Sequence, residues 1–519
     1  MYRKIIPGQM TLEIPFGVEL DPNNRWVMLS SIMPWEKIEE HYENIFKGTN
    51  GQVAKSSRLA FASLYIQTRL SLTDEETVEQ IRETPSMQYF CGYEGYTTEK
   101  PFDSSLMVHF RKRFPEEVMK ELSKVSFVEE AKKAIISEAE KDNDDNDDKG
   151  DNDGKVDNNG KSDNDGKGDN DNKGDNTAKP KGTLYLDATC FPSDIHYPTD
   201  IGLLNHGREL TEQMIDILYG SPTRRPMSMA LGAALARGDI PKIPKPRTYR
   251  ETARKAYMTY VKKRKHTHDE IRFAIRQQLQ YVRRNLDSIE KLIEQGKAKI
   301  ALKEELAKKL ETIKEVYRQQ KYMYDNKTHV VEDRIVSIAQ PHIRPIVRGK
   351  SGVPVEFGAK VSTAHIGGFT FIIHTSYDNF SEGKYLEETV KEYKRLLGFY
   401  PKLVVGDKAY PTRENRQYCK SKGIRLSCRK MGRMSEEEKE AERKQLYEEN
   451  CGRNAVEGDY GTVKRKYGLD LIMTKLEETT LTVISFGFFV KNMERVLRLF
   501  VLRFFIEYGL LWNFKMRFS

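Results

Sequence analysis

Apolar positions along this chain follow two rhythms. Through residues 250–325 they step by three or four: Ile271, Ile275, Leu279, Val282, Leu286, Ile289 and Ile293, then Leu302, Leu306, Leu310, Ile313 and Tyr317. That spacing predicts long helix, and Gly296 between the two runs predicts a helical hairpin whose outer faces carry many Lys and Arg. Ser56–Leu70 reads the same way, with Leu59, Ala62, Leu64 and Ile66 on one side. Thr73 and Glu76 form a capping-box pattern that opens another helix, and Ser104 or Ser105 is placed to cap SLMVHFRKRF. Helices are also predicted over Gly207–Gly220, Leu386–Leu397, TRENRQYCKSKG up to Gly423, and Ser435–Asn450. The amphipathic run FGFFVKNMERVLRLFVLRFF should pack on the core or on a partner.

The second rhythm is strand-like. GTLYLDATC and KLVVGDKAY are short apolar runs that each end in an acid, Asp187 and Asp407. VEFGAKVSTAHIGGFTFIIHTSY holds two such runs split by Gly-Gly, the signature of a hairpin, and GIRLSC is a further strand. An acid at the end of a central strand is held rigidly where a cation can reach it. Asp194 and Asp200, in the loop after the first run, are rival acids. Farther on, Arg453, Glu457 and Lys464 fall at roughly 0°, 40° and 20° around a helix, so one face carries a carboxylate between two cations. Such a face suits phosphoryl-transfer chemistry, but it is also what a solvated helix with an i,i+4 Arg–Glu pair looks like.

Composition sharpens the picture. The 519 residues carry a net charge of +9; residues 141–176 hold 13 Asp and 6 Lys, a net −7, which leaves +16 elsewhere. A basic body suggests an anionic partner, most simply nucleic acid. The acidic run, with its repeat DNDGKV, DNNGKS, DNDGKG, DNDNKG, has almost no apolar residue and is expected to be a disordered linker. It resembles the start of a calcium loop but lacks the Glu at the twelfth position and the flanking helices. Five scattered cysteines without a CxxC argue against a disulfide framework or a structural zinc site, and fit a reducing compartment. There is no signal-peptide pattern, and the most apolar segment, Leu481–Val490, is too short to span a bilayer, so a cytoplasmic, nucleoid-associated protein is expected. The helix bearing His109, Arg111, Lys112 and Arg113 reads either as the major-groove helix of a helix-turn-helix module or as the basic face of a small bundle.

In order, the chain runs strand with Asp187, hairpin, helix, strand with Asp407, helix, strand, then helix with Glu457. This order resembles the catalytic core of DDE transposases from prokaryotic insertion sequences. LYLDATC…PTDIGLLN looks like the first-acid segment of that family and VVGDKAYPTREN like the second. Arg453, Glu457 and Lys464 match the R, E and K of its Y-R-E-K signature, with Asn450 at the Tyr position. SLTDEETVEQI…PFDSSLMVHFRKRF resembles the DNA-binding region that precedes the core.

The resemblance implies an α/β RNase H-like core, a mixed sheet flanked by helices, with an α-helical N-terminal DNA-binding domain and a long helical hairpin insertion. The expected layout is a DNA-binding domain over 1–135, a linker over 136–180, the first part of the core over 181–205, the insertion over 206–330, and the rest of the core with C-terminal helices over 331–519. It further implies that Asp187, Asp407 and Glu457 hold two Mg²⁺ or Mn²⁺ ions, and that Arg453 and Lys464 contact DNA phosphate. The reaction implied is cleavage at transposon ends followed by strand transfer, by a homodimer acting on two ends. Three acids gathered without metal repel one another, so at least one should titrate high. His196, His342, His365 and His374 are read as structural or DNA-contacting. The alternatives are a nuclease of the same core that does not join ends, and an inactive transposase-derived DNA-binding protein.

Overall fold

The computed structural model describes residues 20–46, 53–147, 179–219, 245–294, 302–347 and 355–507. They fall into two compact units: one of residues 1–192, 359–376 and 380–519, and another of residues 193–358 and 377–379. The expected linker repeat and Gly296 lie outside the described residues.

In the first unit, short helices open the chain: Arg25–Ile32, Trp35–Ile45, Ser57–Leu70, Asp74–Glu83, Pro85–Cys91 and Leu106–Arg113, then the long Glu116–Asp147. The capping box at Thr73 and Glu76 is present, with both reciprocal hydrogen bonds. Strand β1 is Thr183–Pro192, β3 is Val355–Ile366, β4 is Phe369–Ser376, β5 is Leu403–Val405 and β6 is Arg425–Leu426; β2, Pro345–Val347, belongs to the second unit and pairs with the first residues of β3 there. The mixed sheet places β1 between β3 and β5, with β6 beyond β5 and β4 on β3. β3 and β4 are antiparallel and closed by Gly367–Gly368, the hairpin the Gly-Gly pair predicts, whereas β5 runs parallel to β1 and to β6. Helices flank this sheet.

The C-terminal helix Glu477–Glu507 packs on Glu116–Asp147, on Ser57–Leu70 and on β4. Its FGFFV segment supplies the contact: Phe486 lies 5.0 Å from Phe61 and Phe489 5.2 Å from Phe127, ring centre to ring centre, and all four are buried. Each fully buried Phe contributes about 2–3 kcal/mol, so this helix is a main support of the unit.

The second unit is mainly helical: Asp200–Tyr219, Arg250–Lys262, His268–Glu294 and Glu304–Asp325. Its core is the predicted periodic set, Leu279, Val282, Leu286 and Ile289 against Leu310, Ile313 and Val316, completed by Met214, Ile215 and Leu218. The reading of 250–325 as helix interrupted at one glycine needs correction. The chain also breaks between Lys262 and His268, where Thr267 accepts from and donates to Glu270 and starts a new helix. No helix among the described residues is long and apolar enough to cross a membrane.

Candidate active site

The site begins with one register. β1 and β5 are parallel, and Tyr185 stands opposite Val405. Two residues beyond that pair come Asp187, still in β1, and Asp407, just past β5, and Asp187 feels the charge of Asp407. Neighbouring strands lie about 4.8 Å apart, and the register thus brings the two acids into one neighbourhood. Asp187 is not at a strand end, as its apolar run suggested, but within β1, which continues to Pro192. The pairing with β5 stops at Tyr185, and Asp407 lies just past β5 in a turn where its Oδ1 accepts the Ala409 N–H at 2.5 Å.

Asp187 is mostly buried, and its carboxyl is held above the ordinary Asp value. Burial is the largest cause and the Asp407 charge adds to it, while the Ala188 N–H and the Arg453 guanidinium pull the other way. One acid does titrate high, chiefly through burial rather than repulsion. A carboxylate whose folded pKa is raised costs stability once it ionises; the penalty sets in as pH rises past the unfolded value of 3.8. Asp187→Asn is therefore expected to match or exceed the parent in melting temperature at neutral pH, with the difference shrinking toward acid. A clear loss of melting temperature at neutral pH would contradict this.

The helix Arg453–Lys466 runs alongside β1. A side chain at Gly452 would overlap the Tyr185 hydroxyl, at 2.1 Å from an added Cβ, so only glycine lets the helix start here. Arg453 reaches Asp187 Oδ2 at 3.5 Å, Tyr460 shares a 2.7 Å hydrogen bond with Thr363, and Lys464 donates to Thr189 Oγ1 at 2.9 Å and lies 5.2 Å above the Phe191 ring. Tyr185, Asp187, Thr189 and Phe191 are alternate positions on one strand face, and the helix follows them in order. Glu457 lies between Arg453 and Lys464 on that side of the helix, at the exposed edge of the contact.

The structure thus brings Asp187 and Asp407 together and sets Glu457 on the adjoining helix face. Among the described residues no three His, Cys, Asp or Glu side chains stand close enough to hold one metal ion. Arg453 and Lys464 both engage β1.

A further acid, invisible in the sequence pattern, stands by this pair. Glu382 opens the 3₁₀ turn Glu382–Tyr385, is largely buried, and is ion-paired with Lys360 of β3 at 3.0 Å. Its pKa is raised, first by burial and in smaller part by Asp407 and Asp187. Gly383 lies against the Ala409 carbonyl, and the buried Asn415 amide donates to the carbonyls of Gly383 and Tyr410, both at 2.8 Å, clamping the two turns together. The rival Asp200 is otherwise engaged: its Oδ1 accepts from Gln320 at 2.8 Å and Arg334 at 2.7 Å inside the second unit. Asp194 lends its carbonyl to Gln340 there.

The basic helix near the N-terminus requires a correction. Arg111 is buried, ion-paired with Asp74 and donating to the Gln67 amide oxygen, so it is not free to reach DNA. Arg113 hydrogen-bonds the Tyr42 hydroxyl and lies over the rings of Tyr42, Phe46 and Phe110. Lys112 pairs with Glu478 at 2.6 Å, and His109 is exposed. Two of the helix's three cations are structural, Arg111 through Asp74 and Gln67 and Arg113 through Tyr42 and Phe46. His365 is structural as well, its Nδ1 2.9 Å from Asp459, and His374 stacks on Tyr385 at 4.3 Å.

Two family models match the chain: "Transposase domain (DUF772)" over residues 16–113 and "Transposase DDE domain" over residues 404–494. The chain carries a segment of a transposase DDE domain and, ahead of it, a segment of a second transposase domain. The DDE domain match contains Asp407 and Glu457 and begins well after Asp187. Among curated proteins, "Uncharacterized protein ORF8 in nfe locus" of Rhizobium meliloti is 34% identical over 107 residues, which is 21% of this chain and 51% of that protein. The chain thus spans about half the length of the curated relative it matches. No solved structure matches this chain.

Proposed function

We propose that this chain is the transposase of a prokaryotic insertion sequence, which cuts DNA at the ends of its element and joins the freed ends to target DNA. The observation that carries the reading is the register of β1 and β5, which sets Asp187 beside Asp407 in a chain with a DDE domain. The sheet order, with the first acid on a central strand and the second on its parallel neighbour, supports an RNase H-like core.

The donor set fits a hard divalent cation. Two carboxylates side by side, one of them buried and titrating high, are relieved by Mg²⁺ or Mn²⁺. Asp187 and Asp407 would hold the ions, with Glu457 closing on them from the helix. Bound ions would polarise the scissile phosphate and activate first water and then a DNA 3′-OH. The chain's own contribution is placement: the sheet fixes Asp187, the Asn415 clamp fixes the turn of Asp407, and Gly452 fixes where the Glu457 helix starts. Arg453 offsets the Asp187 charge before an ion binds, and with Lys464 would contact DNA phosphate. Two ends are handled together, so a homodimer on DNA is proposed.

The test is a strand-transfer assay. Purified protein, Mg²⁺, a duplex carrying the terminal sequence of the element, and a plasmid target should yield nicked ends and then joined products. Cutting without joining would favour a nuclease of the same core, and no cutting in either Mg²⁺ or Mn²⁺ would defeat the proposal.

A further inference from the structure

On the back of the Glu457 helix the first unit holds a cleft of about 940 Å³. Ala455, Gly458, Thr462 and Lys466 line it; they lie at roughly 140–220° around a helix whose Arg453–Glu457–Lys464 face is at roughly 0–40°. Three of these residues are small, and a side chain at Gly458 would meet nothing. One wall comes from the start of the N-terminal helices, through Arg25, and the other from the C-terminal helix, through Arg495 and Arg498.

The charge in this cleft is one-sided. Its two acids are already paired. Asp459 Oδ2 accepts from Lys491 at 2.6 Å and from Thr370 at 2.8 Å and lies 2.9 Å from His365 Nδ1, and Glu494 is bound to Arg69 at 2.7 Å. Arg25, Lys466 and Arg498 are exposed and Arg495 is half-exposed, and among the described residues they outnumber the two acids of the cleft, which are already paired elsewhere. Lys466 is held below its ordinary pKa, first by burial and then by the charges of Arg69, Arg25 and Arg498, with Glu494 opposing them. Four cations around a groove floored by small residues match a sugar–phosphate backbone, which carries one charge per phosphate and needs close approach.

We infer that this cleft seats the backbone of the element's own DNA end, while the opposite face of the same helix addresses the cut. The commitment to the end rests on how the groove is built. Its walls come from both matched segments, Arg25 from the N-terminal transposase domain and Ala455 to Lys491 from the DDE domain. A duplex lying here is gripped by both. The inference depends on the transposase reading above and adds a site to it.

The experiment measures binding of the full chain to a labelled terminal duplex by fluorescence anisotropy, without divalent cation, between about 50 and 200 mM salt. Arg25→Gln/Lys466→Gln/Arg498→Gln, checked for folding by circular dichroism, should bind on the order of 100-fold more weakly near 0.1 M salt, with a log–log salt slope shallower by about 3. Thr462→Lys should steepen the slope and Thr462→Glu should weaken binding, which keeps the test open if the triple variant folds poorly. Unchanged affinity and slope in folded variants would overturn the groove while leaving the transposase reading intact. Loss confined to unrelated duplex would assign the groove to target DNA and also overturn it. A parent chain that binds no DNA would overturn both.

Discussion

Asp407→Asn will abolish Mg²⁺-dependent cleavage, by at least ~10³-fold, well beyond the 10- to 100-fold expected when an outer-shell partner is lost. The amide keeps the shape of the carboxylate, and its oxygen can still accept the Ala409 N–H that shapes the turn. What disappears is one hard anionic donor beside Asp187. Melting temperature and affinity for the terminal duplex should both hold, which separates loss of the ion from loss of the fold. Glu457→Gln should give the same loss, and because Glu457 is exposed its effect on stability should be smaller still. Retention of cleavage in both variants, read on a sequencing gel, would remove the acid site from the mechanism.

The second large effect lies behind the helix. Lys491 is buried and donates to Asp459 Oδ2, to Thr370 Oγ1 and to the Gly368 carbonyl. Asn492 beside it exchanges two hydrogen bonds with the Thr370 backbone. One carboxylate oxygen thereby ties the Glu457 helix to the β3–β4 hairpin and to the C-terminal helix. Lys491→Met removes the cation and strands Asp459, at a cost of about 3–5 kcal/mol. Burial pushes Asp459 up, but the hydrogen bond from His365 and the charges of Lys491 and His365 outweigh it and hold the carboxyl below the ordinary value. A depressed acid stabilises the fold fully above its unfolded pKa of 3.8, and that contribution disappears as pH falls from there through the lower folded value. Urea titrations at neutral pH should show the loss for Lys491→Met. The parent should lose more stability below pH 3.8 than Asp459→Asn does. Equal acid sensitivity of parent and Asp459→Asn would refute this assignment.

Much of the site was legible because its parts are local. An apolar run ending in Asp announces a strand with an acid, and Arg453-x3-Glu457-x6-Lys464 announces a helix face. The N-terminal cations misled for a physical reason: LMVHFRKR looks like a basic exposed helix, yet Asp74, placed by the preceding capping box, draws Arg111 inside. Glu382 and Asp459 carried no local signal. Each gains its meaning from partners far along the chain, Lys360 and Asn415's clamp for one, His365 and Lys491 for the other. The extent of β1 past Asp187 was missed because TCFP alternates weakly and its burial comes from the helix above.

The parallel pairing of β1 with β5 has a consequence for synthesis. Thr183 pairs with Leu403, 220 positions later, so the two aspartates cannot meet until most of the polypeptide has left the ribosome. At roughly 5–20 residues per second, β1 waits on the order of 10–40 s for its neighbour. A nascent chain, or one terminated before Leu403, therefore lacks the strand pairing that sets the two aspartates beside each other.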